Sequence, residues 1–525
     1  MTKNKIRLIL YILSPAILFW LAWPPRDLFF LGFFAFVPLF LLEDKTKNIR
    51  RSSWLIYLSL LIWNIVISWW VGYAEFYSSI FMLLANSWLM YLPWLGYRKA
   101  RNLVSDQKAL FIFISLWLSF EYLHLNWQIS WPWFTLGNIF AKHNEVVQWY
   151  EITGTLGGSL WVLTTNVLSY LAIQKTNLKS GLKPIAVIII PILLSIPLYL
   201  SNQKDYTTTK RSTLSALLVQ PNIDPYLKFE KDKEVVNLVD MLKLVEPYIK
   251  DSTDIIILPE TAIVEYVDEN YPDRFESIQL LKEFVKNHPQ IHFISGISTY
   301  KFFLKGEPLS QTARKTKNGD YYDSYNTAIS IDKKGNLDFY HKGKLVPGAE
   351  IMPYSKIFKF LDFLAVDLGG ISGSLGSDKK PKVFNTAKNS NLAPLICYES
   401  VYPGHVAEFC REGAEILLVI TNDGWWRDTD GYKQHMYYAT LRAIENRREV
   451  LRSANTGISC RIDKLGKIHE RSQWWTREVI PVEVNSFHNL TFYSTYGDYI
   501  GRLASFIGSF FILGMIVKKK SNNVN

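Results

Sequence analysis

The chain has 525 residues, of which 49% are hydrophobic, 15% aromatic and 20% charged. This composition excludes an intrinsically disordered chain, because disordered chains lack the apolar side chains that build a core. The net charge of +11 would suit a nucleic-acid-binding protein, but the placement of the basic residues argues against that class. The three cysteines, Cys397, Cys410 and Cys460, are too few to build a disulfide framework.

Long apolar runs dominate the first 205 residues and return near the C-terminus. A helix needs about 20 apolar residues to cross a bilayer. We predict eight membrane helices, at 6–22, 28–42, 53–71, 78–97, 109–125, 156–174, 184–200 and 499–517. A cleaved signal peptide is the alternative for the first run, but that run lacks a small-residue cleavage site and a second run follows at once.

The basic residues predict how these helices are oriented, because cytoplasmic loops of membrane proteins carry an excess of Lys and Arg. Alternate connections carry such residues: Lys3, Lys5 and Arg7; Lys45, Lys47, Arg50 and Arg51; Arg98, Lys99, Arg101 and Lys108; Lys175, Lys179 and Lys183; and Lys518, Lys519 and Lys520. The intervening connections hold at most one. We therefore expect both termini in the cytoplasm and segment 201–498 outside it. The same distribution accounts for much of the positive charge, so we expect no nucleic-acid partner.

The connection 126–155 is rich in tryptophan and leaves two interpretations open. It is either an aromatic belt at the membrane interface or an element that shapes a lipid entrance. Glu121 and His124 are unusual in a membrane helix. They either mark a functional position or lie at the level of the lipid headgroups.

Short β-rich runs alternate with helical patterns between residues 206 and 490. Ser212–Gln220, Asp254–Pro259 and Leu392–Cys397 have the composition of strands, whereas 231–249 and 431–447 have the apolar spacing of helices. This alternation predicts a layered α/β domain. We accordingly divide the chain into a seven-helix region at 1–205, this domain at 206–490, and a last helix with a Lys-rich tail at 491–525.

Three motifs of the α/β domain place a chemically capable side chain at the end of a predicted strand. Glu260 follows the apolar run 254–259, Lys342 follows 337–340, and Cys397 ends 392–397. Each has an ordinary alternative explanation: a solvated loop glutamate, a basic surface loop and a buried core cysteine.

Taken together, the three residue types suit nucleophilic catalysis. A thiol attacks a carbonyl carbon only as thiolate, so it needs a base, which a nearby carboxylate provides. A nearby ammonium stabilises both the thiolate and the oxyanion that forms on the substrate. Cys397, Glu260 and Lys342 fit these roles, although Lys344 competes with Lys342 at this point.

The order Glu, Lys, Cys resembles that of the carbon–nitrogen hydrolase, or nitrilase, superfamily, and the resemblance covers residues 212–485. Further matching stretches are Tyr325-Asn326-Thr327-Ala328, Thr421-Asn422-Asp423-Gly424-Trp425 and His435 through Gly457. A nitrilase domain between a seventh and an eighth membrane helix is similar to one branch, the bacterial apolipoprotein N-acyltransferases. The chain departs from many members of that branch at Gly348-Ala349, where they carry Phe-Gly.

The resemblance implies a four-layer α-β-β-α sandwich inserted into a bundle of eight membrane helices. It also implies that Glu260, Lys342 and Cys397 form a catalytic triad, with Lys342 favoured over Lys344. It assigns supporting or substrate-binding roles to Glu350, Tyr398 and Glu399. Asn326 is a further supporting candidate, and a strand-edge role explains it equally well. We interpret Cys410 and Cys460 as structural.

The implied reaction is an acyl transfer in two steps at the outer face of the bacterial cytoplasmic (inner) membrane. The acyl chain, typically the sn-1 chain of phosphatidylethanolamine, moves from a phospholipid onto Cys397 as a thioester. It then passes to the N-terminal α-amine of a diacylglyceryl-cysteine in an apolipoprotein. We expect no cofactor and no metal, since the Cys and His residues show no metal-binding spacing.

Two other function classes remain as alternatives. A membrane-tethered amidase that acts with water on a soluble substrate would use the same triad, but one membrane anchor would suffice for it. A non-catalytic receptor or transporter with a degenerate nitrilase fold is the other. The presence of Glu260, Lys342 and Cys397 together argues against it.

Overall fold

A computed structural model of the chain describes residues 3–46, 48–175, 178–208, 212–229, 233–354, 374–386 and 388–524. The chain divides into two compact units. The first, here called the helical unit, comprises residues 1–72, 79–206 and 496–525. The second, here called the α/β unit, comprises residues 73–78 and 207–495.

Helices account for most of the helical unit and for the outer layers of the α/β unit. In chain order they are α1 (Lys3–Ala22), α2 (Val37–Lys45), α3 (Ile49–Ser68), α4 (Phe76–Arg101), α5 (Asp106–Asn126), α6 (Tyr150–Thr153), α7 (Thr155–Lys175), α8 (Leu178–Thr208), α9 (Glu234–Val245), α10 (Glu276–Asn287), α11 (Pro403–Arg411), α12 (Asp430–Asn446), α13 (Phe492–Tyr496) and α14 (Tyr499–Val524).

The predicted polytopic helical bundle is confirmed. Within the described part of the chain, seven helices are long and apolar enough to cross a membrane: Lys5–Ala22, Ile49–Tyr73, Phe76–Arg101, Asp106–Asn126, Thr155–Lys175, Lys179–Thr208 and Tyr499–Val517. The second predicted run, 28–42, is broken into a 3-10 helix, Phe29–Phe34, and the nine-residue α2. Pro38 lies in the first turn of α2, where proline starts a helix but cannot continue one from the preceding turn.

Residues 132–141 of the tryptophan-rich connection 126–155 are buried in the helical unit. Trp133 is fully buried, and so are Glu121 and His124. One carboxylate oxygen of Glu121 accepts hydrogen bonds from the indole of Trp117 at 2.9 Å and from the backbone N–H of Leu136 at 3.0 Å. Glu121 therefore ties this connection to α5.

Two sheets form the centre of the α/β unit. Their strands are β1 (Thr213–Gln220), β2 (Ile255–Ile257), β3 (Ile263–Asp268), β4 (His292–Phe302), β5 (Arg314–Lys315), β6 (Tyr321–Ile331), β7 (Leu337–His341), β8 (Phe384–Asn385), β9 (Asn391–Ile396), β10 (Ile416–Thr421), β11 (Glu449–Ala454), β12 (Cys460–Ile462), β13 (Ile468–His469) and β14 (Glu478–Asn485). The first sheet has the order β14-β1-β2-β4-β6-β5, with β3 paired to β4 and β7 to β6. The second has the order β13-β12-β11-β10-β9-β8.

The two faces of β1 show how the layers are built. Successive side chains of a strand point to opposite faces of its sheet. Leu214, Ala216 and Leu218 join a core shared with β9, β10, α11 and α12, whereas Leu217 and Val219 join a core shared with α9 and α10. The unit is therefore the α-β-β-α sandwich expected from the sequence.

The strand order also explains why the candidate residues can meet. β1, β2 and β4 run parallel in the first sheet, and β9, β10 and β11 run parallel in the second. The carboxyl ends of parallel strands meet at one edge of a sheet, where α/β proteins bind their ligands. Glu260 follows β2 and Cys397 follows β9.

Candidate active site

Glu260 lies in the turn that follows β2, and protein donors hold both of its carboxylate oxygens. Oε1 accepts from Nζ of Lys342 at 3.1 Å and from Nδ2 of Asn326 at 2.9 Å. Oε2 accepts from the backbone N–H of Asn422, directly after β10, at 3.1 Å. Both sheets therefore fix the direction of this buried carboxylate.

Lys342 follows β7 directly, and its side chain is only 1% exposed. Its backbone N–H donates to the carbonyl of Asn326 on β6 at 2.9 Å. Its Nζ lies 3.1 Å from Glu260 and 2.9 Å from an oxygen of Glu350. Burial acts to lower the pKa of Lys342, but the two carboxylates outweigh it and hold this pKa above its ordinary value. The side chain is therefore a fixed ammonium.

Asn326 and Glu350 complete this polar cluster. The Nδ2 group of Asn326 donates to both carboxylates, at 2.9 Å to Glu260 and 2.8 Å to Glu350. The other oxygen of Glu350 accepts from the backbone N–H of Val346 at 2.8 Å. In the same loop, Gly348 has φ +83°, a conformation that favours glycine. The loop between Lys342 and Glu350 therefore turns back at Gly348 and keeps the contact between these two side chains.

Cys397 begins a short 3-10 helix at the end of β9 and has φ 49°, which is uncommon for a residue other than glycine. The residue is half-buried. Burial raises the pKa of its thiol, the charge of Glu260 raises it further, and Lys342 acts in the opposite direction. The resting group is thus a thiol, and nucleophilic attack requires a base to remove its proton.

A fully buried cluster of hydrogen-bonded side chains holds the backbone carbonyl of Cys397. The Cys397 carbonyl accepts from Oγ of Ser400 at 2.8 Å and lies 3.1 Å from Nε2 of His435. Nδ1 of His435 lies 2.9 Å from Asp423, which also pairs with Arg452. Burial raises the pKa of Asp423, but Arg452 and His435 outweigh this effect and lower that pKa to about 2. Asp423 therefore stays ionised and anchors the histidine.

Glu399 is fully buried and connects the nucleophile strand to the lysine loop. One of its oxygens accepts from the hydroxyl of Tyr340 at 2.6 Å and from the backbone N–H of Gly343 at 2.7 Å. The other accepts from the backbone N–H of Ile396 at 2.7 Å. Glu399 thus fixes the loop that carries Lys342 relative to the strand that ends before Cys397. Tyr398 is buried beside the nucleophile.

The structure separates the two competing lysines. The side chain of Lys344 lies over the ring of Tyr402, with Nζ 5.3 Å from its centroid, while Lys342 joins the carboxylates. Cys410 and Cys460 lie in the hydrophobic core of the α/β unit. Among the described residues, no group of three His, Cys, Asp or Glu side chains is arranged to hold a metal ion.

One buried lysine beside Glu260 is absent from the sequence-based prediction. Nζ of Lys228 donates to the backbone carbonyl of Glu260 at 3.0 Å. Its segment, 221–229, has no regular secondary structure and no apolar periodicity. A single lysine in such a stretch is normally solvated, so the sequence carried no signal for it.

Comparison with known proteins places these features in a family context. Residues 216–487 match the carbon-nitrogen hydrolase family, and residues 15–168 match the apolipoprotein N-acyltransferase N-terminal domain. The apolipoprotein N-acyltransferase of Chlorobaculum tepidum is 29% identical over 514 residues, which cover 95% of this chain and 94% of that protein. The Rickettsia typhi protein of the same name is 31% identical over 366 residues, which cover 68% of this chain and 66% of that protein.

A solved structure is also similar to part of this chain. It is Saccharomyces cerevisiae Nit3, described as a member of branch 10 of the nitrilase superfamily, with 18% identity. The match covers 53% of this chain and 93% of that chain, with a TM-score of 0.39.

Proposed function

The chain belongs to the apolipoprotein N-acyltransferases, a membrane-embedded branch of the carbon–nitrogen hydrolase superfamily, and we propose that it transfers a fatty acyl chain through a thioester on Cys397. The donor is a phospholipid, phosphatidylethanolamine at its sn-1 position. The acceptor is the N-terminal α-amine of S-diacylglyceryl-cysteine in an apolipoprotein. The observation that supports the proposal is the cluster in which Glu260, Lys342, Glu350 and Asn326 are bonded to one another, with Glu260 and Lys342 close enough to Cys397 for their charges to act on its thiol.

In the first step Glu260 takes the thiol proton of Cys397, and the bond from Sγ to the acyl carbon forms. The ammonium of Lys342 stabilises the oxyanion of the tetrahedral intermediate, as preorganised donors do in acyl transfer. The ester C–O bond then breaks, and the leaving oxygen of the lysophospholipid takes from Glu260 the proton that came from the thiol. The product is a thioester with Glu260 ionised again.

In the second step the α-amine of the lipoprotein attacks the thioester. Glu260 accepts a proton from the attacking amine, and the C–S bond breaks as the amide forms. The proton passes from Glu260 to the sulfur, which restores the thiol. Amines attack thioesters more readily than water does, and a site that excludes water would suppress hydrolysis.

Three of the remaining candidates act through Glu260, Lys342 or Cys397, and the fourth contacts the substrate. Glu350 and Asn326 fix the position of the Lys342 ammonium and the Glu260 carboxylate by the bonds described above. Glu399 holds the lysine loop to the nucleophile strand. Tyr398 lies beside Cys397 in sequence, and we assign it to the wall that contacts the substrate.

The cellular setting follows from the same proposal. The chain is a multi-pass protein of the inner membrane, and both of its substrates are anchored in a bilayer. We place both termini in the cytoplasm and the α/β unit on the periplasmic side, because the basic residues lie in alternate connections.

The test is to reconstitute the protein with phosphatidylethanolamine, without lipoprotein, and to measure its intact mass. We expect an added fatty acyl group that hydroxylamine removes. The adduct should be absent from Cys397→Ala and present in Cys410→Ala, which removes a thiol buried in the core. Adding a diacylated lipopeptide should then discharge the adduct and yield a triacylated product.

Two other outcomes would change the assignment. If the wild type forms no adduct while a control lipid-modifying enzyme does, the thioester route is wrong. If the adduct forms but is released as free fatty acid in the presence of lipopeptide, water is the acceptor, and the membrane-tethered amidase becomes the better description.

A further inference from the structure

Lys228 is a buried lysine whose amine bonds to the turn that carries Glu260. The residue is 1% exposed. Its Nζ donates to the backbone carbonyl of Glu260 at 3.0 Å and to Oγ1 of Thr261 at 2.6 Å. Burial lowers the pKa of Lys228 to about 7, against the charge of Glu260. A neutral amine and an ammonium both have at least two N–H donors, so both bonds persist in either protonation state.

The segment that carries Lys228, residues 221–229, is hydrogen-bonded to residues next to the candidate site. The side chain of Asn455 bonds to both the N–H and the carbonyl of Ile223, at 3.1 and 2.7 Å. The same Nδ2 group donates to Oδ1 of Asn422 at 3.1 Å. The backbone N–H of Asn422 donates to Glu260. Asn422 is therefore linked both to the Glu260 carboxylate and, through Asn455, to the segment that carries Lys228.

The turn that Lys228 contacts is strained and tightly packed. Thr261 has φ 46°, an outlier for a β-branched residue that persists only where its surroundings enforce it. Gly296 of β4 also approaches this turn so closely that a Cβ there would lie 2.4 Å from N of Thr261 and 2.6 Å from Cα of Glu260. The turn is thus in contact with both the amine of Lys228 and the backbone of β4.

We infer that Lys228 is a positioning residue for Glu260: its two hydrogen bonds hold the strained turn 259–261, and so set the direction in which the carboxylate meets Cys397. The inference rests on the proposed role of Glu260 as the base. It assigns to Lys228 no contact with either substrate. Because Glu260 moves the proton in both steps, loss of Lys228 should slow both steps and leave substrate binding intact.

The test measures the rate of acyl-enzyme formation in Lys228→Met, which keeps the length of the side chain but removes its donors. We expect this rate at saturating phospholipid to fall by about 10-fold or more, because two buried hydrogen bonds are lost. The KM for phospholipid should stay at the wild-type value, and discharge by lipopeptide should slow as well. The matched control is Lys282→Met on α10, which should acylate at the wild-type rate.

A second variant separates this role from simple space filling. Thr261→Val keeps the shape of the side chain and removes only the hydroxyl that Lys228 contacts, so acylation should slow by less than in Lys228→Met. The double variant, Lys228→Met with Thr261→Val, should be no slower than Lys228→Met alone. In Lys228→Met the hydrogen bond between residue 228 and Thr261 is already absent. Effects that multiply would show two independent roles and overturn the inference.

The remaining outcomes are also decisive. A wild-type rate in Lys228→Met, or a change in KM alone, would overturn the inference while the wild-type adduct still supports the proposed function. A wild type that forms no adduct would instead overturn the proposed function. If Lys228→Met loses its thermal unfolding transition, Thr261→Val decides by itself: a wild-type rate overturns the inference, and a slower rate with unchanged KM supports it.

Discussion

His341, next to the candidate catalytic lysine, is held between two carboxylates. Nδ1 lies 3.0 Å from Asp378 and Nε2 lies 2.7 Å from Glu269. The ring also stacks on Tyr325, with centroids 3.8 Å apart. Burial acts to lower the pKa of His341, but the two carboxylates outweigh it and raise this pKa to about 9. The folded protein therefore keeps an imidazolium at this position at neutral pH.

This arrangement predicts a pH-dependent contribution to stability. A histidine whose pKa is higher in the folded state stabilises it fully below the unfolded pKa of about 6.5, and this contribution is lost as the pH rises through about 9. The contribution amounts to about 3 kcal/mol at most by linkage. We expect the melting temperature of His341→Gln to lie below that of the wild type at pH 6 and to approach it by pH 10.

The control for this measurement is Asn318→Gln, an exposed and uncharged position between β5 and β6. Its melting temperature should follow the wild type at every pH. A gap between wild type and His341→Gln that stays constant from pH 6 to pH 10 would contradict the assigned protonation state.

At the scale of elements, strand β4 sets the space available to the turn after β2. A Cβ on Gly296 would meet the backbone of Thr261 and Glu260, and backbone atoms cannot move aside as a flexible side chain can. Overpacking of this kind costs about 1–3 kcal/mol. Gly296→Ala should therefore lower the melting temperature and displace Glu260, with slower acyl-enzyme formation on Cys397.

The same substitution at Gly181 of α8 is the control, because nothing lies within 4 Å of a Cβ built there. Gly181→Ala should retain the wild-type rate and be at least as stable as the wild type, because alanine favours a helix more than glycine does. If Gly296→Ala also acylates at the wild-type rate, the close approach of β4 has no bearing on the base.

The sequence predicted individual elements well where their periodicity is local. The predicted strand Ser212–Gln220 is observed as Thr213–Gln220, and the predicted helix 431–447 as Asp430–Asn446. The predicted helix 231–249 starts in residues outside those described, and its observed part is Glu234–Val245. The broken second membrane run was missed, because hydropathy counts apolar residues and ignores the proline that divides them.

At the scale of the whole molecule, the distribution of basic residues predicts which segments face which side of the membrane. Asn102 is exposed between α4 and α5, and Lys317 is exposed in a turn between β5 and β6. In a Cys397→Ala background, a membrane-impermeant maleimide should label Lys317→Cys in intact spheroplasts. Asn102→Cys should react only after the membrane is permeabilised.

Cys410 and Cys460 are buried, so the background without an added cysteine should remain unlabelled. Labelling of Asn102→Cys in intact spheroplasts, or protection of Lys317→Cys, would reverse the proposed orientation and place the α/β unit in the cytoplasm.

The sequence could name the principal candidate residues of the site but could not show which contacts hold them. Glu260, Lys342 and Cys397 each follow a predicted strand, which is a local pattern that a known family order makes specific. Lys228 acts on a turn 32 residues away along the chain, in a stretch without periodicity. Contacts of this kind depend on the order of strands in the sheet, which apolar patterning does not reveal.

The pairing of β1 with β14 has a consequence for how the α/β unit is made. The two strands pair along their full length, from Thr213 with Asn485 to Gln220 with Glu478, and the outermost pair is 272 residues apart in the chain. At about 5–20 residues per second, a ribosome needs roughly a quarter of a minute to a minute to cover that interval. During this time β1 has no partner on its β14 edge. The first sheet is therefore completed only late in synthesis, when β14, the last strand of the unit, becomes available.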